Sequence, residues 1–182
     1  MKRRDFLGVA GLFAVLPGAF AKEIGAKMSY EKPVKPVEPV EPVEIAKLEK
    51  SKKEWKAILD RDAYQVLFEE ATERPFTSAL LEEKRKGTYI CAACFLPLFE
   101  SDAKYESGTG WPSFFQAIEG RLGTRTDFKL LLPRTEYHCA RCGGHQGHVF
   151  GDGPKPTGKR FCNNGVALGF VPQGEAFPEL RS

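Results

Sequence analysis

A chain of 182 residues, 42% hydrophobic and 28% charged, is long enough for one ordinary domain with an appendage and too short for two independent cores. Its net charge of +3 is modest and partly N-terminal, and no Lys/Arg run with interleaved aromatics is present, which argues against a nucleic-acid-binding face. The 18 glycines and 13 prolines favour turns and short strands over a helical bundle.

Residues 1 to 21 read as an export signal. Lys2-Arg3-Arg4 supplies the positive start, Phe6 to Val15 the apolar stretch, and Ala19-Phe20-Ala21 a cleavage site. The apolar stretch is shorter than the roughly 20 residues a bilayer span needs, so no transmembrane span is expected in the mature form. Retention of the signal would leave the protein tethered. Arg3-Arg4-Asp5-Phe6-Leu7 resembles the twin-arginine signal, which implies a bacterial protein exported folded to the periplasm. An ordinary secretory signal with two chance arginines is the alternative.

Residues 22 to 44 form a spacer. From Lys32 a three-residue unit with proline in every copy repeats to Glu44, a pattern that predicts stiff polyproline II geometry. The domain proper is expected over 45 to 182. It opens with two amphipathic helices between Ile45 and Thr72, broken near Asp60-Arg61-Asp62, with Trp55 and Tyr64 as packing residues beneath a helical lid. Short runs such as Lys129 to Leu132 and Glu136 to Cys139 read as strands. The alternation of Val166, Leu168 and Phe170 extends the sheet toward the C-terminus and puts Cys162 at or near a strand mouth.

Four of the five cysteines form two C-x-x-C pairs, Cys91/Cys94 and Cys139/Cys142. Two such knuckles can present four thiolates to one tetrahedral Zn²⁺, and four protein ligands leave no open position for a reactive water, so the ion would be structural. The long interval between the pairs means the ion would clamp distant parts of the fold. Disulfides in an oxidising compartment, or a redox-active C-x-x-C, stay open on spacing alone.

Cys162 has no neighbouring cysteine, and a free thiol in an exported protein calls for a reason. Arg160 two residues before it could favour the thiolate, His145 and His148 could supply protons, and Asn164 could position a polar substrate atom. Together they match the parts of a nucleophilic cysteine site. Trp111, in a glycine-rich stretch ahead of Phe114, suits a loop presenting an aromatic ring at a pocket.

The chain resembles the type B methionine sulfoxide reductases. The resemblance rests on Glu73-Arg74-Pro75-Phe76-Thr77, the two knuckles, Ser107 to Phe114, Gly147-His148-Val149-Phe150 with Asp152-Gly153-Pro154, and Arg160-Phe161-Cys162 with Asn164, and covers about residues 50 to 172. It implies a mainly β fold of two antiparallel sheets with N-terminal helices, a structural Zn²⁺ on Cys91, Cys94, Cys139 and Cys142, and Cys162 as nucleophile. It further implies His148 as the acid, helped by His145, Asp152, Arg160 and Asn164, with Trp111 and Phe114 at the substrate. The implied reaction is reduction of the R epimer of methionine sulfoxide, in oxidised proteins or free, by a monomeric enzyme that repairs exported proteins. Thr109 stands where many relatives carry a resolving cysteine, so an external, thioredoxin-like thiol is the expected reductant; Gln146 stands where many have leucine. A zinc-knuckle binding module and a thiol-disulfide oxidoreductase are the rival readings.

Overall fold

The computed structural model describes residues 45–129 and 132–182, so the export segment and the spacer lie outside the described residues. Helix α1 (Lys52–Ile58) starts at Ser51, whose hydroxyl accepts from the Glu54 N–H while the Glu54 carboxylate accepts from the Ser51 N–H. This reciprocal cap satisfies two N–H groups that a helix start otherwise leaves open. Helix α2 (Arg61–Glu69) turns Tyr64, Val66 and Leu67 inward, and Phe68 stacks on the buried Trp55 at 4.9 Å. Among the described residues no helix is long and apolar enough to cross a membrane.

Among the described residues nine strands follow: β1 (Gly87–Cys91), β2 (Pro97–Glu100), β3 (Lys104–Tyr105), β4 (Ser113–Phe114), β5 (Leu122–Asp127), β6 (Arg134–Cys139), β7 (His145–Phe150), β8 (Arg160–Asn163) and β9 (Leu168–Pro172). They make two sheets, β2-β1-β9 and β3-β4-β8-β7-β6-β5, with every pairing antiparallel. The expected mainly β fold of two antiparallel sheets behind N-terminal helices is the one present. Aromatic side chains hold the sheets together: Phe99 of β2 stacks on Phe114 of β4 at 4.2 Å, and Tyr89, Tyr137 and Phe161 meet this pair edge-on. Their burial removes large apolar surfaces from water, and offset and edge contacts suit the ring quadrupoles.

Two strand expectations need correction. Lys129 and Leu132 lie outside any strand, and Leu132 is 75% exposed; β5 ends at Asp127, whose carboxylate accepts the Lys129 N–H and turns the chain away. The alternating run after Cys162 is not one strand either. Val166 sits in a 3-10 turn, Gly165–Ala167, because the Glu73 carboxylate accepts the N–H groups of Gly165 (2.6 Å) and Val166 (3.0 Å). Cys162 therefore lies inside β8 of one sheet, and β9 starts afresh in the other.

Candidate active site

The β8 strand is flanked by β4 and β7, which sets Cys162 opposite Ser113 on one side and His148 on the other. Its side chain opens into a pocket of about 130 Å³ lined by Thr72, Trp111, Arg134, His148, Phe150 and Asn164, among others. The strands approach so closely here that a Cβ on Gly147 would lie 1.9 Å from the Cys162 carbonyl oxygen. Only glycine keeps the Cys162 strand against β7.

His145 and His148 are three residues apart and would face opposite sides of a regular strand. The ladder breaks between them: Tyr137 pairs with Gly147 but His138 with His145, so Gln146 is an extra residue, a β-bulge. A bulge re-aims the side chains that flank it. Both rings consequently share one face, with centroids 5.5 Å apart. His148 reaches the Cys162 pocket; His145 does not line it, facing instead a second, polar recess that shares Thr72, Arg134 and His148 with the first.

Each histidine is held by a carboxylate that spacing in the sequence did not single out. His148 Nε2 donates to Asp127 Oδ2 (2.7 Å), and His145 Nδ1 to Glu136 Oε1 (2.7 Å). Because an ionised carboxylate only accepts, the neutral His148 ring carries its proton on Nε2 and leaves Nδ1 as its open proton site. Burial pushes His148 below the ordinary histidine range against the opposing pull of Asp127. Hydrogen bonds from the Lys129 N–H and from His148 hold Asp127 far below the carboxylate range. Burial works against Glu136, but His138, His145 and Arg125 outweigh it and bring it down to about 2. Asp127 and Glu136 became visible only through the β5-β6-β7 ladder, which lays them beside the histidines.

Burial also pushes the Cys162 thiol above its ordinary value, while the Arg160 charge and the hydroxyl of Thr109 pull it down. Arg160 lies over the Phe150 ring at 4.4 Å and takes the Asp152 carboxylate through Nε and Nη2, both at 2.9 Å. Asp152, expected as a helper of His148, pairs with Arg160 instead; its side chain is 62% exposed and its contact with the site runs through the guanidinium.

Trp111 is placed by Glu73, whose carbonyl accepts the indole N–H at 3.3 Å. The Glu73 N–H donates to Asn164 Oδ1 (3.1 Å), and Asn164 Nδ2 donates to the Gln146 carbonyl (3.0 Å), so Asn164 serves as a bracket at the pocket wall. Phe114, expected at the substrate, is fully buried in the stack on Phe99; its strand position beside Ser113 turns it into the core. The second aromatic lining the pocket is Phe150.

The Sγ atoms of Cys91, Cys94, Cys139 and Cys142 all lie within 4.8 Å of one another. Cys91 faces Cys142 at 3.7 Å and Cys94 faces Cys139 at 3.5 Å. Tetrahedral Zn–S bonds of about 2.3 Å put sulfurs about 3.8 Å apart, so the four side chains fit a tetrathiolate metal ion, which would join β1 to β6 by their ends. The spacing also exceeds a disulfide bond of about 2.05 Å, and no pair is bonded.

The SelR domain family matches residues 59–172, which takes in every side chain named at the site. The chain belongs to this family, that of the MsrB proteins. Relatives named peptide methionine sulfoxide reductase MsrB include those of Methanosarcina mazei, 49% identical over 71% of this chain and 93% of its own length, and Methanosarcina barkeri, 51% identical over 69% and 89%. The MsrB of Pseudomonas putida is 51% identical over 68% of this chain and 94% of its own. These MsrB relatives are thus covered almost end to end by the domain, while the match to the family begins after α1.

Proposed function

We propose that the protein is a methionine-R-sulfoxide reductase in which Cys162 removes the sulfoxide oxygen. The observation that carries this reading is the opening of Cys162 into a pocket walled by Trp111 and Phe150 and bordered by His148. An aromatic wall suits the S-methyl group, and a neutral imidazole suits a reaction whose proton must change hands.

With the Cys162 thiol pushed up and His148 pushed down, the resting pair holds one proton, on sulfur. His148 Nδ1 takes that proton, the thiolate attacks the sulfoxide sulfur, and the proton passes to the oxygen as the S–O bond breaks. The hydroxide released then attacks Cys162 Sγ, the new bond between the two sulfurs breaks, methionine leaves with that electron pair, and Cys162 remains as sulfenic acid. Arg160 steadies the thiolate, and Asp127 holds the imidazole in the tautomer that leaves Nδ1 open.

Regeneration takes two external thiols: one displaces hydroxide as water to form a mixed disulfide with Cys162, and the second releases the thiol and a disulfide product. Thr109 supports this route, since a hydroxyl stands beside Cys162 where a resolving sulfur would be needed and the other four cysteines converge on one another. A thioredoxin-like partner is the reading for that reductant. The four cysteines would hold Zn²⁺ as a structural clamp. Residues 1 to 21 and 22 to 44 would export the domain and hold it off the membrane surface, where it would act as a monomer on oxidised exported proteins.

The reading is tested by incubating the protein with dithiothreitol and each epimer of N-blocked methionine sulfoxide. Reduction of the R epimer alone is expected, with no reduction by Cys162→Ser; turnover of the S epimer at an equal rate, or activity in the variant, would overturn it.

A further inference from the structure

Gln146, the bulge residue of β7, is polar, fully buried, and in contact with both ends of the molecule's chemistry. Its Nε2 donates to Cys91 Sγ at 3.5 Å. Its Oε1 accepts from Asn163 Nδ2 at 3.4 Å, and Asn163 Oδ1 accepts the Tyr137 hydroxyl at 2.7 Å. Its backbone carbonyl, on the side of β8, accepts the Asn164 N–H at 2.9 Å and Asn164 Nδ2 at 3.0 Å. Asn163 and Asn164 are the two residues that follow Cys162.

We propose that Gln146 is a positioning residue that ties the four-cysteine metal site to the strand of the nucleophile, so that a change at the metal site is felt at Cys162. An amide carries two donors and an acceptor, and burying it is favourable only where partners meet them. Leucine would fill the same space without that requirement. What the amide adds is an N–H aimed at a sulfur ligand, which drains charge from the thiolate and fixes its orientation toward the metal, together with an acceptor that reaches Asn163. Asn163 in turn donates to the Asn164 carbonyl at 2.8 Å, which closes a ring of hydrogen bonds just past Cys162. This inference rests on the four cysteines holding a metal ion and on Cys162 being the nucleophile.

The test uses full-length, zinc-loaded protein with two readouts: zinc release to a chromophoric chelator, and the rate of Cys162 carbamidomethylation by iodoacetamide. Gln146→Leu is expected to release zinc about tenfold faster and to change the alkylation rate by about threefold or more. Asn163→Ala keeps the donor to Cys91 and cuts the far link; it is expected to change the alkylation rate while zinc release stays within about twofold of wild type. In cobalt-loaded protein the sulfur-to-metal charge-transfer band should shift in Gln146→Leu and not in Asn163→Ala, a signature that general loosening would not sort in this way. Unchanged zinc release and band in Gln146→Leu would overturn the proposal, as would altered release with unaltered Cys162 reactivity. A wild-type protein that binds neither zinc nor cobalt through its thiolates would overturn the metal reading itself, a result distinct from a Gln146 variant that behaves as wild type.

Discussion

In the proposed mechanism Cys162 and His148 share one proton, and the side chains around them decide at which pH that proton is in place. Below the His148 pKa the pair holds two protons and no thiolate forms; above the Cys162 pKa it holds none and the oxygen has no acid. The pH dependence of kcat/KM should therefore be bell-shaped and broad, since burial moves the two values apart. Asp127 raises His148, so Asp127→Asn should move the acid limb to lower pH and cost about 10²-fold in kcat/KM from the misoriented ring. Arg160 lowers Cys162, so Arg160→Gln should move the alkaline limb to higher pH and slow Cys162 alkylation at neutral pH. Both shifts are read from pH–rate profiles; a limb moving in the opposite direction would contradict these assignments. Asp152→Asn should act in the opposite sense and more weakly, because the Asp152 charge raises the thiol that Arg160 lowers.

At the scale of elements, the site depends on how closely β7 and β8 run together and on the brackets that hold the tryptophan loop. Gly147→Ala would drive a methyl group into the Cys162 carbonyl and is expected to destabilise the protein by about 3 kcal/mol and abolish activity. A Cβ added at Gly151 would meet nothing within 4 Å, so Gly151→Ala should stay within about 0.5 kcal/mol of wild type. Chemical denaturation of both variants makes the comparison, and equal losses would remove the close approach as the cause. Glu73 joins three elements through its N–H, its carbonyl and its carboxylate, to Asn164, Trp111 and the Gly165–Ala167 turn. Glu73→Ala keeps the two backbone links and frees the turn, so KM should rise more than kcat falls. The helices, the knuckles and the lone thiol were legible in the sequence because each is a local pattern: a 3.6-residue period, a C-x-x-C, a cysteine with no neighbouring cysteine. The pairing of His148 with Asp127, the bulge that brings two histidines to one face, and the burial of Phe114 were not, because each depends on strand register set by distant residues.

For the whole molecule, a metal ion on the cysteine cluster would fasten the end of β1 in one sheet to the end of β6 in the other. Metal removal by a chelator is expected to lower the melting temperature by about 10 °C or more. A metal-depleted protein that keeps its melting temperature while all four thiols titrate freely would contradict a structural clamp. Acid should loosen the same region through Glu136. Its carboxyl is brought down to about 2 from 4.5, so the stability it contributes is complete above pH 4.5 and is lost as pH falls toward 2. Glu136→Gln should flatten the fall in melting temperature between these values.

The central claim is that Cys162 takes the oxygen and has no sulfur of its own chain to pass it to. A single turnover without reductant tests this most directly, by counting methionine released from the R sulfoxide and trapping the protein with dimedone. The account predicts one methionine per chain, a dimedone adduct at Cys162 in wild type and none in Cys162→Ser. A disulfide between Cys162 and Cys91, Cys94, Cys139 or Cys142, or methionine formed without modification of Cys162, would contradict it.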